Sequence, residues 1–199
     1  DKPLDRGHKE DAHLNPALGL RAIRWSLAEP AMFLTQVRAI LRAGALGPVN
    51  LLIPMLGAVT EIKQTFALLH QAQQQLDARG AAYGPLHSAV KVGAMIEVPA
   101  AAISVQAFLK YFDFLSLGTN DLIQYTLAID RADETVAHLY DPLNHAILKL
   151  VADTISAANA AGKGVSVCGE MAGDASLTRL LIGMGLRSFS MSPAFVPVV

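Results

Sequence analysis

The segment that decides the fold is Asp113-Phe-Leu-Ser-Leu-Gly-Thr-Asn-Asp-Leu-Ile-Gln-Tyr-Thr-Leu-Ala-Ile-Asp-Arg131. Its apolar start, residues 114–117, predicts a buried strand that runs into a Gly-Thr-Asn-Asp turn. Arg131 follows Asp121 by ten residues. α/β enzymes place their chemistry in turns after buried parallel strands. A carboxylate and a guanidinium at such a turn suit a metal ion and an anionic substrate.

The composition of the 199 residues is apolar. Hydrophobic residues make up 52%, charged residues make up 17%, and the mean hydropathy is +0.36. This composition predicts strands that are buried on both faces beneath covering helices. No apolar run reaches the roughly 18 residues that a spanning helix needs, and the charged N-terminus is not a signal peptide. We therefore expect a soluble protein with no membrane partner.

The net charge and the cysteine content exclude further classes of partner and site. The net charge is −1 and the isoelectric point is near 6.6, so nothing in the charge balance attracts nucleic acid. The single cysteine, Cys168, excludes an internal disulfide and any metal site with several cysteines. A chain without disulfides fits the cytoplasm, which is where we expect it.

Apolar strands alternate with amphipathic helices along the chain. This pattern predicts a parallel sheet with right-handed crossovers, either an open doubly wound sheet or a (β/α)₈ barrel. No G-x-G-x-x-G segment follows a strand, which weakens the dinucleotide-binding alternative. The five predicted strands are 49–55, 91–98, 114–117, 164–168 and 188–191. The predicted helices are 16–27, 30–43, 60–79, 99–111, 142–161 and 175–184.

Polar side chains stand where three of these strands end: Glu97, Asn120 with Asp121, and Cys168. In a parallel barrel these ends share one face, and that face holds the active site. Glu97 and Asp121 together make a plausible Mg²⁺ site, because Mg²⁺ usually takes one or two carboxylates. The structural alternative for Glu97 is that it caps the helix that opens at Pro99 or pairs with an arginine.

Cys168 lies in Cys168-Gly-Glu-Met-Ala-Gly173. Lone cysteines are more often small buried side chains than catalysts. A strand end before a glycine-rich turn nevertheless favours a catalytic thiol, and a thiol whose pKa is not strongly depressed could act as a general acid.

Arginines supply candidate anion ligands, because their guanidinium groups bind carboxylate and phosphate in bidentate fashion. Arg21 and Arg38 fall on the two predicted N-terminal helices, and Arg131 follows the turn. We assign Arg24 and Arg42 to solvated helix faces. The six histidines show no metal-ligand spacing, and we assign none of them a catalytic function.

Several long motifs, in matching order, closely resemble the C-terminal phosphoenolpyruvate-binding domain of Enzyme I. Enzyme I is the phosphoenolpyruvate–protein phosphotransferase of the bacterial sugar phosphotransferase system, and pyruvate phosphate dikinase and phosphoenolpyruvate synthase share the domain. The motifs are Asn15-Pro-Ala-Leu-Gly-Leu-Arg-Ala-Ile-Arg24, Val92-Gly-Ala-Met-Ile-Glu-Val-Pro-Ala-Ala-Ala102, Gly118-Thr-Asn-Asp-Leu-Ile-Gln-Tyr-Thr126, Cys168-Gly-Glu-Met-Ala-Gly173 and Phe189-Ser-Met-Ser192. The segments Tyr140-Asp-Pro-Leu-Asn-His145 and Gln36-Val-Arg-Ala-Ile-Leu-Arg-Ala43 favour Enzyme I over its relatives.

The resemblance implies a (β/α)₈ barrel of the phosphoenolpyruvate/pyruvate type that uses Mg²⁺. The metal ligands of the family match Glu97 and Asp121. Its substrate-binding residues match Arg21, Asn120 and Arg131, with Arg38 as a further substrate-side arginine. The acid that protonates the enolpyruvate carbon matches Cys168. The implied reaction is phosphoryl transfer from phosphoenolpyruvate to a histidine, with release of pyruvate.

The resemblance also implies what lies outside these residues. In the family, the phosphorylated histidine belongs to a separate N-terminal domain, and an HPr-like phosphocarrier protein receives the phosphoryl group. Residues 1–3 resemble the end of the family's third strand motif, so we expect about strands 4 to 8 of the barrel, incomplete at both ends. Exposed strand edges invite pairing, and family members dimerise through this domain, so we expect a homodimer.

Two other functions remain open on the sequence. Related barrels bind Mg²⁺-enolates through a Glu/Asp pair, which would make the chain a lyase or an aldolase, although Cys168 and the Asn120-Asp121 signature argue against this. The chain could also be a dimerisation fragment that has no activity on its own.

Overall fold

The structure is a computed structural model, and it describes residues 15–199. Its centre is a five-stranded sheet in which every strand pairs parallel to its neighbours, in the sequential order β1-β2-β3-β4-β5. The predicted parallel α/β sheet is therefore confirmed. The strands are β1 (Val49–Ile53), β2 (Val90–Ile96), β3 (Phe114–Gly118), β4 (Gly164–Cys168) and β5 (Ser188–Phe189). The prediction that concerned residues 1–3 lies outside the described residues.

Two helices precede β1, and the others lie between consecutive strands, as parallel pairing requires. The longest, α3, carries Ile62, Leu69 and Leu76 on its buried side. The helices are α1 (Ala22–Ala28), α2 (Pro30–Ala43), α3 (Val59–Asp77), α4 (Pro99–Ile103), α5 (Val105–Phe108), α6 (Thr119–Leu127), α7 (His145–Ala160), α8 (Glu170–Gly173) and α9 (Ala175–Gly183). Short 3₁₀ turns cover Pro16–Leu18, Ala137–Leu139 and Pro193–Phe195.

The two faces of the sheet differ in chemistry. Successive strand residues point to opposite faces, so Val92, Leu115 and Val167 lie on the face that packs under the helices. The other face, which we call the polar face, carries the side chains that alternate with these. Its polar side chains are those of Glu97, Ser116, Ser166, Cys168 and Ser188, and Met95 also lies on it. On β4, Val165 and Val167 are buried, whereas Ser166 and Cys168 on the polar face are half-buried, so the expectation of strands buried on both faces is wrong for this strand.

Three predicted elements differ from the structure. Residues 119–121 begin α6 instead of forming a turn, and Gly118, the last residue of β3, is the N-cap of this helix. The helix starts this early because Leu122 and Ile123 are fully buried. The predicted helix 99–111 is broken at Ser104, whose hydroxyl donates to the Ala100 carbonyl at 2.5 Å. The predicted helix 16–27 is interrupted before α1, where Arg21 is extended, with φ −140° and ψ 166°.

Candidate functional site

A buried carboxylate, Glu97, lies just after β2 and is only 4% exposed. Its Oε1 accepts a hydrogen bond of 2.7 Å from the backbone N–H of Met55, which follows β1. Burial and the nearby Asp121 carboxylate raise the pKa of Glu97 to about 7, although the Met55 N–H and the Arg21 charge oppose the shift. Its hydrogen bond links Glu97 to the preceding strand and does not cap the helix at Pro99, since that helix has no side-chain cap.

Arg21 approaches the second carboxylate. Its Nη2 lies 3.4 Å from Oδ2 of Asp121, in the first turn of α6. Its Nη1 donates to the Tyr125 hydroxyl at 3.1 Å, and that hydroxyl donates to the Ala17 carbonyl at 2.5 Å. Arg21 and Asp121 are 100 residues apart in sequence, and the structure brings both of them close to Glu97.

Asn120 and Arg131 form a second group on the same edge of the sheet. The Asn120 Oδ1 accepts from the backbone N–H of Glu170 at 2.9 Å and from the Tyr140 hydroxyl at 3.3 Å. Arg131 Nη1 lies 3.5 Å from Glu170 Oε1. Burial, followed by the Glu170 charge, raises the pKa of Tyr140 to about 12, so this hydroxyl stays protonated as a donor. Asp121 belongs to the first group, with Glu97 and Arg21, and Asn120 belongs to the second. The two groups are therefore joined by consecutive residues of α6.

Cys168 ends β4, opposite Gly118 in the strand register. Its thiol donates to the Leu117 carbonyl at 3.4 Å. Burial raises the pKa of the Cys168 thiol, the Ser116 hydrogen bond lowers it, and the Glu97 and Asp121 charges raise it further. The thiol therefore keeps its proton at neutral pH, as a general acid must.

Two glycines keep this edge open. A Cβ at Gly118 would lie 2.8 Å from the Cβ and Oε2 of Glu97, so glycine at this position leaves room for the buried carboxylate. Gly169 has φ +90°, and a Cβ there would lie 2.6 Å from the Thr119 hydroxyl and 2.8 Å from Asn120 Oδ1. Both positions require the absence of a side chain.

The structure does not bring Arg38 to this edge. Its guanidinium donates to Gln75 on α3 at 2.6 Å and to Thr35 at 3.0 Å, which ties two helices together. A substrate function for Arg38 stays a prediction that these contacts do not support. Arg42 is exposed, as expected. Arg24 departs from expectation, since it is half-buried and donates to the Leu18 and Gly19 carbonyls.

Sequence reasoning missed the residues that hold the predicted ones in place, above all Tyr125, Tyr140 and Glu170. Tyrosines carry no positional signal until their hydroxyl partners are known. Glu170, two residues after Cys168, could have been found as an acidic residue that follows a strand end. A cleft of about 800 Å³ adjoins this edge, and Asn120 and Cys168 are among its lining residues.

The donor set fits a small hard cation. Within residues 15–199, no cluster of three or more His, Cys, Asp and Glu side chains is arranged to hold a metal. Glu97 and Asp121 nevertheless form a close pair of carboxylates, and their mutual repulsion is part of what raises the pKa of Glu97. Proteins usually bind Mg²⁺ through one or two carboxylates, and water and substrate oxygens complete its coordination. In the same part of the chain, no helix combines the length and apolarity needed to cross a bilayer.

A family model described as "PEP-utilising enzyme, PEP-binding domain" matches residues 1–199. The chain belongs to this family. The family resemblance inferred from the sequence motifs is thereby confirmed. A phosphoenolpyruvate-protein phosphotransferase of Cupriavidus necator is 67% identical over 98% of the chain, and one of Mycoplasma capricolum is 44% identical over 94%. The chain spans about a third of the length of these relatives, 33% and 32% respectively.

Solved structures agree on the fold of this family member. A citrate lyase of Burkholderia xenovorans LB400 superposes with a TM-score of 0.61, at 21% identity, over 84% of the chain and 52% of its own. At this identity the likeness shows the α/β fold alone.

The buried Glu97 generates a prediction on stability. Its folded pKa is about 7 against an ordinary value of 4.5, so the folded state binds the proton more tightly than the unfolded chain does. This contribution is fully present below about pH 4.5 and is lost as the pH rises through 7. We expect Glu97→Gln to gain up to about 3 kcal/mol of stability relative to wild type between pH 4.5 and pH 8.

Urea denaturation at both pH values, with a chelator present to remove divalent metal, measures this difference. Glu134→Gln is the matched control, because Glu134 is exposed and its replacement should change stability equally at both pH values. A Glu97→Gln difference that does not depend on pH would contradict the burial argument.

Proposed function

We propose that this chain binds phosphoenolpyruvate and supports Mg²⁺-dependent phosphoryl transfer from it to a histidine of a phosphotransferase-system protein, with release of pyruvate. One observation carries the proposal: two carboxylates, a guanidinium and a protonated thiol converge at the carboxyl ends of adjacent parallel strands. The printed name of the relatives, phosphoenolpyruvate-protein phosphotransferase, supports the same reaction.

Glu97 and Asp121 would hold the Mg²⁺ ion. When bound, Mg²⁺ supplies neutralisation of the charge on phosphoryl oxygens. Arg21 and Arg131 would bind the phosphate and carboxylate of the substrate, since guanidinium groups match both anions in bidentate geometry. Asn120 would contact the phosphate with its amide nitrogen, because its Oδ1 is already occupied by the Glu170 N–H.

Cys168 would complete the reaction. Once the P–O bond breaks, enolpyruvate needs a proton at its terminal carbon to become pyruvate. The Cys168 S–H bond would break as the new C–H bond forms, which leaves a thiolate that solvent reprotonates. The burial that raises the pKa of this thiol keeps the proton in place until that step.

The nucleophile would come from another part of the protein. The relatives are about three times longer than the chain, and none of its histidines lies in a segment that we match to a phosphohistidine motif. We therefore infer that an N-terminal phosphohistidine domain and an HPr-like phosphocarrier protein are its partners in the cytoplasm.

The sheet supports a more specific fold. Sequential strand order without reversal is typical of a barrel and differs from the doubly wound order. We infer that β1 to β5 correspond to strands 4 to 8 of a (β/α)₈ barrel of the phosphoenolpyruvate/pyruvate type.

Substrate binding tests the proposal directly. We expect isothermal titration calorimetry to show phosphoenolpyruvate binding that requires Mg²⁺. Glu97→Gln and Asp121→Asn should each weaken that binding by about tenfold or more, because each removes a charged metal ligand. Glu134→Gln, at an exposed carboxylate, should leave it unchanged. Absence of binding by a folded wild-type chain would instead support a dimerisation fragment.

Hydrogen exchange at the methyl group of pyruvate tests Cys168. In D₂O with Mg²⁺, the chain should exchange these protons by the reverse of the protonation step, and NMR would follow the loss of signal. Cys168→Ser should slow exchange by about 100-fold or more, the usual contribution of a positioned acid–base group, and leave phosphoenolpyruvate affinity largely unchanged. Exchange that persists in Cys168→Ser would show that another group carries the proton.

Association of two copies is the remaining prediction. In the described chain, β1 and β5 each pair with a single strand, and Phe195, Val196 and Val198 after β5 are 50% to 68% exposed. Multi-angle light scattering should therefore give about twice the chain mass of 21.1 kDa. A monodisperse monomer would contradict this prediction.

A further inference from the structure

A row of serine hydroxyls lies on the polar face one level below Cys168. Ser116 on β3 is paired in register with Ser166 on β4, and Ser166 is paired in register with Ser188 on β5. Residues that are paired in register on adjacent parallel strands share a face. The function proposed above uses none of these three side chains.

Two of the serines form a directed chain that ends on the thiol. The Ser166 hydroxyl lies 3.1 Å from the Ser116 oxygen and donates to it. Ser116 in turn donates to the Cys168 sulfur at 3.7 Å. Since the Ser116 oxygen already accepts from Ser166, its own hydrogen is left for the sulfur. Successive hydroxyls in such a chain polarise one another and strengthen each bond.

The burial of Ser116 makes this contact significant. Ser116 is 4% exposed, and a buried hydroxyl without a partner costs free energy. Among the residues that the structure describes, its hydrogen bonds are to Ser166 and Cys168. The hydroxyl therefore depends on the thiol for a partner, and the sulfur has one of its lone pairs fixed by Ser116.

The second contact of the sulfur determines where its own hydrogen points. The S–H donates to the Leu117 carbonyl at 3.4 Å, and rotation about the Cβ–Sγ bond would turn it toward the cleft that Cys168 lines. After loss of the proton, the Ser116 hydrogen bond remains in place and becomes charge-assisted, because the sulfur is then an anion.

We propose that Ser116 is a positioning residue for Cys168 and that Ser166 anchors it: the Ser166–Ser116–Cys168 chain orients the thiol and stabilises the thiolate left by proton transfer. Ser116 keeps its own proton throughout, and the sulfur regains a proton from solvent. The effect on the thiol stands by itself, whereas the catalytic consequence rests on the proposed function. The Ser116 hydrogen bond also lowers the pKa of Cys168 against the effect of burial.

Alkylation of the thiol by iodoacetamide tests the chain of contacts without any substrate. Cys168 is the single cysteine of the 199 residues, so the rate of alkylation reports on this thiol alone. The midpoint of its rate against pH should rise by roughly half a unit to one unit in Ser116→Ala, the equivalent of one lost hydrogen bond. Ser166→Ala should shift it less, in the same direction, and Ser116→Thr, which restores a hydroxyl, should return it close to wild type.

Ser188→Ala is the matched control, because Ser188 is in register with Ser166 on the same face but has no hydrogen bond to the chain of contacts in the described structure. It should not move the midpoint. Equal midpoints for wild type, Ser116→Ala and Ser166→Ala would overturn the proposal, as would a shift in Ser188→Ala as large as that in Ser116→Ala. If Ser116→Ala fails to fold, Ser166→Ala and Ser116→Thr decide the question.

Pyruvate methyl exchange then separates this inference from the proposed function. Ser116→Ala should slow exchange by about tenfold with phosphoenolpyruvate affinity unchanged, a change in rate without a change in binding. If Ser116→Ala shifts the alkylation midpoint but the wild-type chain exchanges no pyruvate protons, the positioning of the thiol is supported and the catalytic proposal is contradicted. An unshifted midpoint would contradict the positioning itself, whatever the exchange rate.

Discussion

Parallel pairing of β2, β3 and β4 is the constraint on which the site depends. Because neighbouring strands run in the same direction and in fixed register, their carboxyl ends meet at one edge, and Gly118 and Cys168 stand directly opposite each other. Glu97 follows β2 at the same edge, 42 residues from its hydrogen-bond partner Met55. A slip of one residue in any pair would turn the polar face toward the helices and remove these groups from the edge.

The buried carboxylate of Glu97 lowers the stability of the folded chain when it is ionised. The Met55 N–H and the Arg21 charge stabilise the ionised form of Glu97. Burial and the Asp121 charge oppose them more strongly, so the pKa of Glu97 rises to about 7. Repulsion between the buried Glu97 and the half-buried Asp121 lowers the stability of the folded chain when both are ionised, and a bound cation would relieve it. This cost to the fold is consistent with the metal site proposed for the pair.

Much of this arrangement could be predicted from the sequence, because it depends on strand ends. Glu97, Asp121 and Cys168 each follow an apolar run, and parallel pairing brings such positions together whatever connects them. The start of α6 could not be predicted, since Gly-Thr-Asn-Asp has turn composition and becomes helical only through the burial of residues that follow it. The partner of Arg38 could not be predicted either. A helical arginine has several partners within reach, and only the packing of the helices selects Gln75.

The close approach at Gly169 has a consequence for sequence drift. Gly169 has no predicted chemical function, yet its positive φ and the closeness of Thr119 and Asn120 leave no space for a Cβ. Any replacement would press on the first turn of α6, which carries Asp121 one residue further on. We therefore expect related sequences to keep glycine directly after the cysteine because a side chain does not fit there. Conservation of this glycine would then reflect space and not a chemical function.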